Sequence, residues 1–136
     1  MRCDTYPLGS LDELKYVVVL SRMDGRILLS RHRERSGWET QGGHIEPGET
    51  PLAAARRELY EESGALEYSI APLCDYQFAH GAAAVYAVSV TRLGPLPESE
   101  MAEVRLFDEM PRELTYPEAG PELYDYALRM KVFEAL

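Results

Sequence analysis

A chain of 136 residues can bury a core around one sheet and two or three helices, so one domain spanning 1–136 and no internal division is predicted. Two cysteines, Cys3 and Cys74, exclude a disulfide framework, and no basic start runs into an apolar leader, so a reduced, cytoplasmic protein is expected. A net charge of −9 argues against broad binding of duplex nucleic acid, which recruits clustered Lys and Arg, and no apolar run approaches the roughly 20 residues that span a bilayer.

Acidity does not oppose a small anionic ligand, because clustered carboxylates can hold a divalent cation that presents positive charge to a phosphate. In chain order, residues 16 to 32 predict a hairpin: the apolar run Tyr16 to Leu20, the turn signal Asp24-Gly25, then Ile27-Leu28-Leu29. Residues 31 to 43 read as a loop, with Arg31, His32, Arg33 and Arg35 crowded ahead of Gly37, Trp38 and the Gly42-Gly43 pair. A helix is predicted from Pro51 to Ser63, with Thr50 as N-cap, Pro51 where a missing N–H is harmless, and Gly64 as the stop. Strands are expected around Tyr68 to Phe78, Ala82 to Val90 and Val104 to Phe107. A last helix is expected to start near Pro121, where Leu123, Ala127, Met130 and Phe133 recur at helical spacing. Strands interleaved with helices define an α/β fold.

On the predicted helix, Glu58, Glu61 and Glu62 share a face, since residues three and four apart are neighbours there. Like charges so placed repel, by a few tenths of a kcal/mol per pair on a solvated helix. Hard cations such as Mg²⁺ bind this set of oxygens. Leu52, Ala55 and Leu59 fall on a second stripe that is expected to pack. Spacing alone leaves two readings open: a metal site, or a surface helix that is merely rich in Glu.

The wider string from Gly43 through Glu49, Arg57-Glu58-Leu59, Glu61-Glu62 and Gly64 to Ala65 resembles the Nudix box, GX5EX7REUXEEXGU, where U is aliphatic; Ala65 is small for its place. The resemblance implies an α/β/α sandwich with a mixed β-sheet, and Mg²⁺- or Mn²⁺-dependent hydrolysis of a diphosphate linkage in a nucleoside di- or triphosphate derivative. It implies Glu61 and Glu62 as principal metal ligands, Glu58 as a ligand or the base, a backbone carbonyl of Gly42-Gly43 as a further ligand with Gly43 preferred, and Arg57 as the residue orienting a glutamate. Arg57 is suited to clamp a carboxylate bidentately, and Glu49 is the expected partner if the loop before the helix folds back. Family members often draw another carboxylate from a later loop, for which Glu98, Glu100 and Glu103 are candidates and Glu100 is preferred.

Arg31, His32, Arg33 and Arg35 lie where related enzymes often place phosphate-binding groups, with Arg31 and Arg33 preferred, and Trp38 is a candidate for stacking on base or ribose, although a lone Trp is more often a packing residue. Family sequences usually carry proline where this chain has Gln41, a departure expected to alter loop rigidity and leave the carboxylates in place. Markers of three subclasses are missing or displaced: position 81 is Gly81, Tyr86 falls late, and the chain contains no Asn. The substrate is therefore expected to be a small nucleotide derivative, with an RNA 5′ end left open, no duplex DNA, no membrane, and a monomer or homodimer. A nucleotide-sensing module without catalysis is the alternative. An isomerase of isoprenoid diphosphates would need a cysteine in the pocket, and Cys74 reads as a buried apolar residue.

Overall fold

The apolar run Tyr16 to Leu20 occupies the middle of a computed structural model of the chain, which describes residues 4–136. Strands β1 (Asp4–Tyr6), β2 (Leu14–Met23), β3 (Arg26–His32), β4 (Trp38–Glu39) and β5 (Gln41–His44) precede helix α1 (Pro51–Ser63). Strands β6 (Ala65–Phe78), β7 (Gly81–Leu93) and β8 (Met101–Phe107), helix α2 (Ala119–Arg129) and a 3-10 turn at Val132–Ala135 follow. The described strands form one sheet in the order β1-β6-β7-β2-β3-β4, with β5 also on β2 and β8 also on β3. Of the ladders between these described strands, β2–β7 is parallel and the rest antiparallel, so the sheet is mixed.

Successive residues of a strand point to opposite faces, and both faces here are covered. Val17, Val19, Leu28, Ala84, Tyr86 and Val88 pack with Ala54, Ala55 and Leu59 of α1. Leu20, Leu29, Ala83 and Val85 pack with Leu123, Tyr124 and Ala127 of α2 on the other side. This is the α/β/α sandwich expected, and it explains why β2 and β7 read as continuous apolar runs instead of alternating ones. Among the described residues no helix is long and apolar enough to cross a membrane.

The β2–β3 hairpin turns at Asp24 and Gly25, both with positive φ. Strands β6, β7 and β8 contain the three predicted ones and run beyond them, and β1, which the sequence reading missed, adds to β6. The expected loop from 31 to 43 is corrected: Arg31 and His32 end β3, and two short strands follow. Propensity hides them because β5 contains two glycines and is held by its backbone pairing to Tyr16–Val19 of β2. Leu52 is also corrected, being 41% exposed, while Ala54 and Ser63 join Ala55 and Leu59 on the buried side of α1.

One buried tyrosine ties α2 to the sheet. The Tyr124 hydroxyl accepts from the Ser21 N–H and donates to the Ser21 carbonyl, each at 2.9 Å. Tyr124→Phe should lower stability by about 1–3 kcal/mol, because both backbone groups lose that partner inside the core. Urea denaturation checks this, and an unchanged midpoint would show that Ser21 is satisfied without the hydroxyl.

Candidate active site

Helix α1 is delimited by local chemistry. The Thr50 side chain accepts from Ala53 N–H at 3.1 Å, Pro51 opens the first turn, and Gly64 adopts a left-handed φ of 77° and donates its N–H to the Tyr60 carbonyl. These caps hold Glu58, Glu61 and Glu62 in helical spacing beside β5. Glu62 accepts from Gly42 N–H at 2.7 Å. Gly42 has φ 155°, and a Cβ there would collide with the Val17 carbonyl oxygen. A Cβ on Gly43 would lie 2.6 Å from a Glu58 carboxylate oxygen. The glycine pair thus lets the β5 backbone approach two carboxylates at once.

Arg57 organises the rest. Its Nε and one terminal nitrogen donate to the two oxygens of Glu49 at 2.8 and 2.9 Å, the bidentate clamp expected once the preceding loop folds back. The other terminal nitrogen donates to Glu58 at 2.8 Å and to Glu61 at 3.3 Å, while the terminal nitrogen on Glu49 also donates to the His44 carbonyl at 3.0 Å. Glu49 also accepts from Glu46 N–H at 3.0 Å, which closes the loop on itself. The Arg57 hydrogen bond, helped by that amide, holds the Glu49 carboxyl at about 2, and Glu49 in turn keeps Arg57 charged.

The remaining carboxylates are pushed the other way. Burial, reinforced by the charges of Glu58, Glu39 and Glu61, raises Glu62 to about 8 against the opposing Gly42 amide. Burial also raises Glu58, although Arg57 opposes it. Buried acid groups with too little positive charge around them provide the electrostatic setting that a divalent cation relieves.

The donor chemistry fits such an ion: carboxylate oxygens of Glu58, Glu61 and Glu62, and a backbone with no Cβ at Gly43. Among the described residues, however, no three Asp, Glu, His or Cys side chains already stand as a ligand set. Glu58 and Glu61 are turned onto Arg57 and Glu62 onto Gly42, so holding a metal requires those side chains to trade partners. Arg57→Lys should reduce metal-dependent turnover by about tenfold, since an ammonium cannot reproduce the fork on Glu49 while also reaching Glu58. Steady-state kinetics of the variant at saturating metal checks this.

A cavity of about 740 Å³ opens beside these groups. It exists because β2 pairs β5 through Tyr16–Val19 and β3 through Ser21–Met23, so the sheet forks beyond Leu20. Gly42, Gly43 and Glu62 line it together with Glu100, Trp38 and His32. The Glu100 carboxylate lies 3.3 Å from His32 Nε2, while His32 Nδ1 accepts from Glu34 N–H, so the ring presents its Nε2 proton to Glu100.

The other predicted residues are differently placed. Arg31 is engaged by Glu103 at 2.9 Å. Arg33 is exposed, and its backbone N–H donates to the Glu100 carbonyl. Trp38 is 7% exposed, packed edge-on against Phe107 with the Arg105 guanidinium over its ring, although part of it reaches the cavity. His32 and Arg35, which the sequence offers only as members of the basic cluster before the box, both line the cavity, whereas Glu39 and a row of rings, in which Tyr16 lies 4.6 Å from His44 and 5.2 Å from Phe78, were missed. Only His44, inside the box string, carried a signal.

Three helix-borne carboxylates, two held by one arginine and the third on a glycine amide that lines a cleft, in a mixed-sheet α/β/α fold, define the class of protein. The NUDIX domain model matches residues 13–122, and the chain belongs to the Nudix family. Over 66 residues it is 42% identical to YtkD of Bacillus subtilis (strain 168), provisionally named an 8-oxo-dGTP diphosphatase, a match covering 48% of this chain and 41% of that protein. Over 49 residues it is 43% identical to the RNA pyrophosphohydrolase of Stenotrophomonas maltophilia (strain K279a), covering 36% of this chain and 24% of that one. These matched segments therefore span less than half of either relative. The fold is similar to the crystal structure of the Bacillus subtilis pyrophosphohydrolase BsRppH, with TM-score 0.81 and 24% identity over 95% of this chain and 90% of that one.

Proposed function

We propose that this chain is a divalent-metal-dependent hydrolase that cleaves a diphosphate linkage in a nucleoside di- or triphosphate derivative, with Mg²⁺ or Mn²⁺ as cofactor. The observation that supports this reading is the approach of Glu58 to Gly43 and of Glu62 to Gly42, with Glu61 joined to Glu58 through Arg57 and with Gly42, Gly43 and Glu62 lining the cavity. Glu58, Glu61, Glu62 and the Gly43 carbonyl would hold the ion, and Glu100 reaches the same cavity as a further carboxylate. When bound, the ion supplies positive charge to the diphosphate and makes a water easier to deprotonate.

The chain's own residues do the rest. Arg57 neutralises Glu58 and Glu61 and keeps them beside β5, and a carboxylate of this group, Glu58 in the first instance, accepts the proton of the attacking water. His32 holds Glu100 at the rim by its Nε2 proton. Arg31 and Arg33 would meet phosphate only by leaving Glu103 or by reaching in from solvent, and Trp38 supports the cavity wall through packing. The names of the relatives suggest 8-oxo-dGTP and RNA as substrates to try. Soluble cytoplasmic residence, as a monomer or homodimer, goes with this reading.

The test is a panel of nucleoside triphosphates including 8-oxo-dGTP, ADP-ribose, nucleotide sugars, dinucleoside polyphosphates and triphosphorylated RNA, with Mg²⁺ or Mn²⁺. Products are separated by ion-exchange chromatography. Metal-dependent release of a mononucleotide, phosphate or pyrophosphate from at least one member supports the reading. Calorimetric binding with no product from any member would make the chain a nucleotide-sensing module instead.

A further inference from the structure

Gln41, the first residue of β5 and the neighbour of the glycine pair, is 0% exposed. A buried primary amide must satisfy two acceptor sites and two N–H donors, and an unmet one is destabilising. Here its oxygen accepts from the Ser21 hydroxyl at 2.6 Å. Its nitrogen donates to the Leu28 carbonyl at 3.2 Å and to the Ser30 oxygen at 2.9 Å. Ser30 passes its own proton to the Glu62 carbonyl at 2.8 Å. That carbonyl belongs to the last turn of α1, where helical partners have run out.

The consequence is that Glu62 is held at two points. Its backbone oxygen is held through Ser30, and its carboxylate by the N–H of Gly42, the residue next to Gln41. We propose that Gln41 is a positioning residue of the acidic site: its amide joins β2, β3 and β5 to the end of α1 and so sets the Glu62 carboxylate against the glycine pair. A proline here would have no side-chain amide and would make none of these bonds. The inference rests on the metal reading of the site, and goes beyond it by assigning part of the site's geometry to a residue whose side-chain amide is engaged by Ser21, Leu28 and Ser30.

The test uses the full chain and Mn²⁺ alone, counted by electron paramagnetic resonance without any turnover. Gln41→Met keeps the volume and removes every hydrogen bond, while Ser30→Ala cuts only the link to Glu62 and its partner Gln41. Both should weaken Mn²⁺ binding by about 10- to 100-fold, and the double variant by no more than the stronger single one, as expected of one connected network. Tyr124→Phe disturbs the same Ser21 from the far face and should lower the melting temperature with Mn²⁺ affinity unchanged. On any substrate the panel identifies, Gln41→Met should lower kcat and leave KM nearly unaltered.

Mn²⁺ affinities of Gln41→Met and Ser30→Ala within about twofold of the parent would overturn the proposal and leave the metal reading intact. So would an affinity loss in Tyr124→Phe as large as theirs, since the effect would then follow stability and not position. A parent chain that binds no Mn²⁺ would remove the metal reading and this proposal together. A parent that binds Mn²⁺ and hydrolyses nothing would remove only the hydrolase. Should Gln41→Met be insoluble, the Ser30→Ala affinity alone decides.

Discussion

Glu62→Gln should reduce metal-dependent turnover by on the order of hundredfold or more, while making the metal-free protein more stable at pH 8. The two effects have opposite signs for one reason. Glu62 is a mostly buried acid, and its negative charge is valuable only when a cation is present to share it. Glutamine keeps an oxygen to accept from Gly42 N–H, so the local geometry survives while the charge is lost. Kinetics on an accepted substrate and urea denaturation with a chelator measure the two halves. Undiminished turnover in the variant would remove Glu62 from the site, and a less stable variant would show that its charge is already neutralised.

The second large effect is a pH dependence of stability. Glu62 ionises near its ordinary 4.5 in the unfolded chain and at about 8 in the folded one. Between those values the folded protein holds a proton that the unfolded chain has released. The stabilisation is therefore complete below about pH 4.5 and is lost as pH rises through 8, by up to about 5 kcal/mol for a shift of this size. Glu58, raised in the same direction, adds to the trend. Glu49 does not counter it, because its stabilisation is lost only as pH falls toward 2. Chelated protein should thus unfold at lower urea at pH 8 than at pH 5, and excess Mg²⁺ or Mn²⁺ should restore the difference. Stability that is flat or rising over that interval would mean that Glu62 is not the buried acid described.

Much of this arrangement was legible in the residues, and what was legible had a local cause. Helix α1 could be bounded to the residue because Thr50, Pro51 and Gly64 each act on their own backbone. The face shared by Glu58, Glu61 and Glu62 follows from helical geometry, and the clamp on Glu49 from the reach of a guanidinium. What was missed depends on partners far along the chain. Gly42 and Gly43 form a strand because β2 supplies a ladder, and nothing in two glycines announces that. Leu52 matched an apolar stripe, yet α1 meets the sheet through Ala54, Ala55 and Leu59, and small residues carry no strong periodic signal. Gln41 looked like a change in loop stiffness, and its hydrogen-bond partners Ser21 and Ser30 could be recognised only once β2, β3 and β5 were side by side.

The parallel ladder between β2 and β7 bears on how the chain folds. Val17 on β2 lies beside Ala84 on β7, with β3 to β6 and all of α1 between them in sequence. The contacts that define the acidic cleft, Gly42 to Glu62 and Gln41 to Ser21 and Ser30, close much shorter loops. Loop-closure entropy grows with separation, and long-range pairings slow folding. The strands and helix that frame the cleft can therefore associate at a smaller entropic penalty than the β2–β7 seam behind them. Substitutions along that seam, such as at Ala84, should then register mainly in the folding rate if the seam forms in the transition state.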